Sequence, residues 1–277
     1  SGAEDDASST RVSSDGEHEV RAGAGFSSGS LEGRVRQLAL DDCGCREVQE
    51  ALKTADEARK AALASEIQGC VVEMIQSPYG NYVVQTVIQQ LPFESCRFIA
   101  EELRGQGAEM ARHRFGCRIL CRLVEQWSTK DGSASLMEEV IGEADALCRN
   151  KMARHVLKLI LEHGSAAQRA RIAHSLHIDV LNKAGHRNAS VVVEHALTHG
   201  MPEDRLSLAA ALIANPGWLE YLAKVQGGSC VVQTMLKLPG PHREQMMGQL
   251  HAAMGALRGA KYGKPILKLA GMASEHR

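Results

Sequence analysis

The stretch Gly80-Asn81-Tyr82-Val83-Val84-Gln85 recurs in varied form along the chain and decides the fold. Each copy has a small residue, two polar or contact-type residues, two apolar residues and usually a glutamine or glutamate. The other copies are Gly44-Cys45-Arg46-Glu47-Val48-Gln49, Gly116-Cys117-Arg118-Ile119-Leu120-Cys121, Ala153-Arg154-His155-Val156-Leu157-Lys158, Ala189-Ser190-Val191-Val192-Val193-Glu194, Gly228-Ser229-Cys230-Val231-Val232-Gln233 and Gly263-Lys264-Pro265-Ile266-Leu267-Lys268. The second residues of successive copies are 35 to 39 residues apart. This spacing predicts stacked repeat units, because a unit of this length cannot bury its apolar face without a neighbour.

The repeat has the periodicity of a helix. In the unit that starts at Gly80, apolar residues from Val83 to Leu91 form one stripe, and Asn81, Gln85 and Gln89 form a second stripe at i, i+4 and i+8. One apolar and one polar stripe at this spacing predict a helix with a core face and an exposed face. No strand-like alternation or hairpin signal accompanies it. The sequence therefore predicts an all-α fold with the polar stripe exposed.

The composition permits a nucleic-acid partner without requiring one. The 277 residues include 32 Lys and Arg against 33 Asp and Glu, a net charge of −1. Seven acidic and two basic residues lie in residues 1–33, so the remainder is mildly basic, with 30 cations against 26 anions. Such a charge suits a domain that binds a single strand, although it is far below that of a polybasic segment.

Residues 1–33 are predicted to be a disordered tail, because they are rich in Ser, Gly and acidic residues and lack apolar periodicity. They lack the apolar core of a signal peptide, and no run is long enough to span a membrane. The eight cysteines form no framework typical of a small secreted domain. We therefore expect a repeat domain over residues 34–277, a reduced intracellular compartment and no membrane partner.

The second, third and sixth residues of each copy are neighbours on the helix surface, since positions i and i+4 lie side by side. Asn81 and Gln85 can present donors and acceptors to the edge of a base, and Tyr82 can stack on its face. With this pattern from about residue 34 to the end, the chain resembles the Pumilio (PUF) family of RNA-binding domains. Six repeats are visible, followed by residues 261–267, which resemble the family's C-terminal cap. Typical family members have eight repeats, so the resemblance implies that two N-terminal repeats are missing from this sequence.

The resemblance implies a right-handed, curved α-solenoid that binds single-stranded RNA on its concave face, one base per repeat. It also implies cytoplasmic post-transcriptional control of messenger RNA, through sites in 3′ untranslated regions and repressor or decay proteins on the convex face. No cofactor and no enzymatic activity are expected. The family code implies four intact base-reading pairs, which are Cys45 and Gln49 for adenine, Asn81 and Gln85 for uracil, Ser190 and Glu194 for guanine, and Ser229 and Gln233 for adenine. The stacking residues would be Arg46, Tyr82, Arg118, His155, Val191 and Cys230.

Two units depart from this code. Cys121 stands where Cys117 needs an amide or acid as its partner, and a thiol makes only weak hydrogen bonds. Arg154 and Lys158 place two cations at an edge-reading pair, which suits contact with phosphate better than base discrimination. Stacking is also weak at Val191, and a good platform contributes about 1–3 kcal/mol per base. Because the family binds RNA antiparallel, the intact pairs imply the site 5′-A-G-N-N-U-A-3′.

Other interpretations of the same residues stay open at this stage. A protein-binding scaffold, or a nucleolar ribosome-assembly relative with little base specificity, could keep the solenoid and lose base reading. His113, Cys117 and Cys121 stand at i, i+4 and i+8, but no clear fourth metal ligand accompanies them. His195 and His199 follow Glu194 in an order that does not match the His-Glu-x-x-His zinc motif. We therefore expect no metal site and no catalysis there.

Overall fold

The structure of the protein is a computed structural model that describes residues 31–127, 131–215, 217–240 and 242–272. Every regular element within these ranges is a helix. None of the helices in them is both long and apolar enough to span a bilayer. The predicted disordered tail lies outside the described residues as far as residue 30.

Each repeat contributes a short helix, then a registered helix that carries the sequence pattern, then an outer helix. In chain order, repeat 1 consists of α1 (Val35–Ala39), α2 (Asp42–Thr54) and α3 (Glu57–Ser65); repeat 2 of α4 (Val71–Gln76), α5 (Gly80–Gln90) and the split outer helix α6 (Phe93–Cys96) and α7 (Phe98–Glu102); repeat 3 of α8 (Gly107–Arg112), α9 (Gly116–Trp127) and α10 (Asp131–Gly142); repeat 4 of α11 (Ala144–Leu147), α12 (Ala153–His163) and α13 (Ala166–His177); repeat 5 of α14 (Val180–Gly185), α15 (Ala189–His199) and α16 (Pro202–Ile213); repeat 6 of α17 (Trp218–Leu222), α18 (Gln226–Lys237) and α19 (His242–Ala252); and the cap of α20 (Met254–Gly259) and α21 (Gly263–Leu269).

The helices stack in the order of the repeats. Each registered helix contacts the registered helix of the next repeat, from α2 through to α21, and the outer helices contact one another in the same sequence. The predicted all-α solenoid of PUF-type repeats is therefore confirmed. The sequence pattern did not separate the short helices, because elements of four to six residues are too short to show a helical period.

The apolar stripe of each registered helix forms the core. In α5, Val83, Val84, Val87 and Ile88 are at most 1% exposed. The equivalent residues of α9, α12, α15 and α18 are buried in the same way, and they pack against the short and outer helices of the repeat. Each fully buried side chain of this kind contributes about 1.5–3 kcal/mol relative to its exposed state.

The first residue of the pattern is small because the short helix passes directly over it. A Cβ atom at Gly80 would lie 2.7 Å from the carbonyl oxygen of Met74, and one at Gly263 would lie 1.9 Å from that of Leu257. Repeats 4 and 5 have alanine at this position, the largest residue found there. The small residue thus sets how closely the short and registered helices of one repeat approach.

Glutamates connect the outer helix to the start of the short helix within each of the first three repeats. The carboxylate of Glu102 accepts hydrogen bonds from the backbone N–H groups of Gly69 and Val71, at 2.6 and 3.0 Å, at the start of the preceding short helix. The same pair of bonds is made by Glu66 to residues 33 and 35 and by Glu139 to residues 105 and 107. Gly33, Gly69 and Gly105 adopt positive φ angles of 78° to 83°, which side chains rarely allow. A carboxylate therefore neutralises the N-terminal end of three short helices in turn.

The Glu66 contact also fixes where the repeat domain starts. The N–H of Gly33 donates to Glu66, and Glu32 lies 3.9 Å from the guanidinium of Arg59. Residues 31–33 were predicted to belong to the tail. In the structure they join the compact unit that starts at Leu31, three residues before the predicted boundary.

A lysine takes an apolar position in repeat 5. Lys183 occupies the place that Met74 and Met110 hold in repeats 2 and 3, and it is fully buried. Its ammonium group donates to the carbonyl oxygen of Ser175 at 2.8 Å, contacts that of Ile178 and pairs with Asp145 of repeat 4. Because a buried charge must be paired, this contact joins repeats 4 and 5.

We predict that Gly80→Ala destabilises the protein by about 1–3 kcal/mol, because the added methyl group overlaps the carbonyl of Met74. Gly248→Ala is the matched control, since a Cβ atom there meets nothing within 4 Å in the exposed interior of α19. The control should stabilise the protein by about 0.5–1 kcal/mol through helix propensity. Urea unfolding of both variants measures the two effects, and equal effects of the same sign would contradict the close approach.

We predict that Glu102→Ala costs about 1–3 kcal/mol of stability, because two backbone N–H groups at the start of α4 lose a charged acceptor. The neighbouring variant Glu101→Ala removes only an exposed i, i+4 ion pair with Arg97. It should therefore change stability by less than about 0.5 kcal/mol. Thermal unfolding compares them, and a control variant as unstable as Glu102→Ala would refute the capping role.

Candidate nucleic-acid interface

The eighteen residues predicted from the sequence lie on six stacked registered helices, in the N-terminal half of each. Stacking brings equivalent positions of successive repeats next to one another. The third pattern residue is exposed in repeats 1 to 4, as Arg46, Tyr82, Arg118 and His155 show. The sixth residue is half-buried in all six repeats. These positions form a continuous surface, which we call the reading surface.

The second pattern residue is not exposed, so the predicted exposed stripe is wrong at this position. Exposure is 4% for Cys45, 0% for Asn81, 5% for Cys117, 2% for Ser190 and 3% for Ser229. The physical reason is the close approach of the next repeat. The hydroxyl of Ser229 donates to the carbonyl of Tyr262 at 3.1 Å, and a Cβ atom at Gly227 would lie 2.2 Å from the hydroxyl of Ser190.

The buried second residue holds the glutamine of its own pair. In repeat 2, Nε2 of Gln85 donates to Oδ1 of Asn81 at 3.0 Å, while Nδ2 of Asn81 donates to the carbonyls of Ser77 and Pro78. This chain of bonds fixes the amide plane of Gln85, and its Oε1 remains as an acceptor. In the described conformation Asn81 is thus a positioning residue for Gln85.

The two adenine-type pairs repeat this arrangement. In repeat 6, Nε2 of Gln233 donates to the hydroxyl of Ser229 at 3.1 Å. In repeat 1, Nε2 of Gln49 donates to the backbone carbonyl of Cys45 at the same distance. Three glutamines in three repeats are therefore held at the same register of the helix, each by the residue four positions earlier. A preorganised amide loses less entropy when it binds a base edge.

The guanine-type pair of repeat 5 is also held by a contact with repeat 6. Oε1 of Glu194 accepts a hydrogen bond at 3.3 Å from the hydroxyl of Thr234 in α18. Ser190 is buried beside it, and its hydroxyl lies 3.5 Å from the carbonyl of Arg187. The second carboxylate oxygen of Glu194 is available to accept from N–H groups of a ligand, as guanine recognition requires.

The stacking residues differ in what they offer. Tyr82 is 44% exposed and presents its ring, whereas Arg46 is tied to Asp42 by an exposed ion pair of 3.4 Å. The pKa of His155 is lowered by desolvation of its ring and by the charges of Arg154 and Lys158, so the ring is neutral at pH 7. Repeats 2 and 4 therefore carry uncharged flat rings at this position.

The two units that depart from the code have different surroundings. Desolvation raises the pKa of the Cys121 thiol well above its usual range, and the nearby Cys117 and Glu125 raise it further. Cys121 is therefore a neutral thiol at pH 7. The Arg154 guanidinium is half-buried, its Nε has no hydrogen-bond partner, and its pKa is lowered by desolvation and by the charge of Arg187. Arginine nevertheless keeps its charge in proteins.

A row of cations beside the reading surface was missed in the sequence. Arg114, Lys151 and Arg187 stand two residues before the small residue of repeats 3, 4 and 5, and all three are exposed. The signal was available, because they share one register of the repeat. With Arg154 and Lys158 they concentrate positive charge on the repeats whose base-reading pairs are broken. Among the described residues, no carboxylate forms an ion pair with Arg154 or Arg187.

In the row of His113, Cys117 and Cys121, from which no metal site was expected, the first residue has a structural role. Nδ1 of His113 accepts hydrogen bonds from the backbone N–H groups of Phe115 and Gly116 at the start of α9. All eight cysteines of the sequence lie in the described residues as free thiols. A different group, Glu162 with His195 and His199, has its potential ligand atoms within 4.8 Å of one another.

Comparison with known proteins agrees with this architecture. Residues 65–256 match the model of the NOP9-like PUF repeat domain, and residues 34–68 match the Pumilio-family RNA binding repeat. Pumilio homolog 9 of Arabidopsis thaliana is 25% identical over 232 residues, which cover 83% of this chain. The chain spans only 40% of the length of that relative.

Solved structures share the fold. PUF-8 in complex with PBE-RNA superposes with a TM-score of 0.80 at 23% identity, covering 87% of this chain and 72% of that one. The Puf4 RNA binding domain bound to the HO endonuclease RNA 3′ UTR recognition sequence gives a TM-score of 0.78 at 21% identity, covering 88% and 77%. Since the matched family model covers more than half of the residues, the chain belongs to the Pumilio (PUF) repeat family as a divergent member.

Proposed function

We propose that the reading surface binds single-stranded RNA, with base edges read in repeats 1, 2, 5 and 6 and phosphate contacted in repeats 3 and 4. The observation that carries this proposal is that Gln49, Gln85 and Gln233 each donate a hydrogen bond to the residue four positions earlier, to a side-chain oxygen in repeats 2 and 6 and to the backbone carbonyl in repeat 1. If these helix faces only contacted solvent, we would not expect amide groups to be oriented at the same repeat position in three units. A row of base edges needs such an arrangement.

The distribution of charge supports a divided surface. Repeats 3 to 5 carry Arg114, Lys151, Arg154, Lys158 and Arg187, and the two broken pairs lie among them. Lys158 lies 3.8 Å from Glu162, whereas no ion pair to a carboxylate is made by Arg154 or Arg187 among the described residues. Such cations suit phosphate oxygens, which give affinity but no sequence information. The RNA would then be specified at its two ends and held electrostatically in the middle, as the site 5′-A-G-N-N-U-A-3′ describes.

By the same proposal, the protein is a sequence-guided adaptor on messenger RNA in the cytoplasm. Similar solved structures support this, since they are Puf RNA binding domains bound to 3′ UTR recognition sequences. Protein partners that repress or degrade the message would contact the outer helices. The transcripts are selected by the order of the base-reading pairs along the solenoid.

The second candidate function is a scaffold or ribosome-assembly protein with little base specificity, located in the nucleolus. The match to the NOP9-like repeat domain favours it, because that match covers residues 65–256, a longer part of the chain than residues 34–68, which match the Pumilio-family RNA binding repeat. Selection from a random single-stranded RNA pool separates the two functions. Enrichment of a spaced G and UA supports base reading, whereas enrichment without a sequence motif supports the second candidate.

We predict that Asn81→Ser with Gln85→Glu changes the preferred base of repeat 2 from uracil to guanine. The double variant copies the Ser190 and Glu194 pair of repeat 5, and serine is already tolerated at the buried position there. A mismatched base typically costs about 1–3 kcal/mol, so preference at this position should invert by about tenfold or more. Competition binding with RNAs that differ only at this base measures the change.

The matched control is Gln89→Glu, which adds the same charge one helical turn further along α5 at an exposed position. It should weaken all RNAs slightly and equally through repulsion of phosphate. An unchanged preference for uracil in the double variant would contradict one-base-per-repeat reading.

We predict that Arg154→Gln with Lys158→Gln weakens binding of every RNA sequence to the same extent. Each lost phosphate contact should reduce the slope of log affinity against log salt by about 0.7 for a single strand. Arg97→Gln is the control, since Arg97 pairs with Glu101 at the start of an outer helix. Affinity measured over a range of salt concentrations tests this, and a loss confined to one RNA sequence would show base reading by repeat 4 instead.

A further inference from the structure

A cluster of potential metal ligands lies between the registered helices of repeats 4 and 5. His195 and His199 are four residues apart on α15, so their rings share one face and stack with centroids 5.6 Å apart. Glu162 reaches them from the end of α12. The sequence pointed to Glu194 as the acid beside these histidines, but the tertiary structure brings in Glu162 from the preceding repeat.

The ring nitrogens of His195 both lie beside oxygen atoms. Nδ1 lies 2.9 Å from the carbonyl oxygen of Val191, and Nε2 lies 3.1 Å from Oε1 of Glu162. Both oxygens are acceptors, while a neutral imidazole has only one N–H group. When Nδ1 carries the proton, Nε2 is therefore left unprotonated beside a carboxylate, where a metal ion can bind both atoms. The ammonium group of Lys158 lies 3.8 Å from the same Oε1, so a cation of the protein is also next to this carboxylate.

The surroundings favour the neutral ring. His195 and Glu162 have side-chain exposures of 20% and 22%. The pKa of His195 is lowered chiefly by desolvation and also by Lys158, although the Val191 carbonyl, Glu162 and Glu194 raise it in part. A neutral imidazole is the form that binds metal.

The arrangement matches the requirements of a transition-metal site. An N–H at Nδ1 that donates to the Val191 carbonyl fixes the tautomer and leaves Nε2, 3.1 Å from Oε1 of Glu162, as the potential ligand atom, as in established histidine–metal sites. Zn²⁺ binds imidazole nitrogen and carboxylate oxygen at about 2.0–2.2 Å, so two of its ligand atoms lie a little over 3 Å apart. The Nε2 to Oε1 separation has this value, and side-chain rotation of His199 closes the remaining distance of up to 4.8 Å.

We propose that Glu162, His195 and His199 form a binding site for a divalent transition-metal ion of the Zn²⁺ class. The ion would join α12 to α15 and so brace the junction of repeats 4 and 5, which also contains the buried Lys183 and Asp145 pair. Two nitrogen ligands and one carboxylate select Zn²⁺ and its neighbours over Mg²⁺ or Ca²⁺, which prefer oxygen. This inference does not depend on RNA binding.

The test is titration of the metal-free full chain with Co²⁺, followed by competition with Zn²⁺. We expect one saturable site with weak d–d absorption and no thiolate charge-transfer band, which separates it from the eight cysteines. His195→Ala and Glu162→Gln should each weaken binding by about tenfold or more. Zn²⁺ should raise the thermal unfolding temperature of the wild type but not of these variants, because a ligand stabilises only the state that binds it.

His251→Ala is the matched control, since Nδ1 of His251 lies 3.0 Å from the carbonyl of Met247 in the same i, i−4 arrangement, but no metal-ligand cluster surrounds it among the residues that the structure describes. It should bind Co²⁺ like the wild type. Glu162→Gln keeps the shape of the side chain, so it tests the site even if His195→Ala fails to fold. Three results would each overturn the proposal. The first is equal Co²⁺ affinity in the wild type and Glu162→Gln, and the second is a thiolate charge-transfer band. The third is an imidazolium form of His195 at neutral pH in excess Zn²⁺.

Discussion

The close approach of the short helix to the small residue of each registered helix is the constraint on which the rest of the structure depends. A Cβ atom at Gly80 would lie 2.7 Å from a backbone carbonyl oxygen of the short helix, and one at Gly263 would lie 1.9 Å from such an oxygen. This contact sets the start of every registered helix relative to its own repeat. Stacking of the buried stripes then transfers that register from repeat to repeat, so equivalent side chains come into line. A surface that reads a polymer needs this regularity.

The same close packing gives the two residues of a base-reading pair different roles. The second pattern residue is buried against the next repeat, and it can therefore orient the sixth residue but cannot readily contact a ligand without moving. Asn81 shows this most fully, since all of its side-chain bonds go to the protein and one of them holds Gln85. Specificity would then arise from a buried residue that sets the amide plane and a half-buried residue that meets the base.

The middle repeats of the solenoid carry charged side chains, whereas the outer repeats carry oriented amides. Repeats 3 to 5 contain exposed cations, a buried lysine with its aspartate, and a histidine beside a glutamate. Capping glutamates act within repeats 1 to 3, whereas the ionic contact between Lys183 and Asp145 joins repeat 4 to repeat 5. The departure from the base-reading pattern in repeats 3 and 4 thus adjoins the part of the chain where an ionic contact joins two repeats.

The sequence alone determined the repeat, its helical period, the all-α solenoid and the family, because these follow from local spacing of apolar and small residues. It also placed the candidate residues on the correct helices. Only the tertiary structure decided that Cys45, Asn81, Cys117, Ser190 and Ser229 are buried, since burial depends on the neighbouring repeat. For the same reason the capping role of Glu102, the buried Lys183 and the meeting of Glu162 with His195 could not be read from the sequence. Each joins residues 30 or more positions apart, and helical periodicity does not reach across that distance.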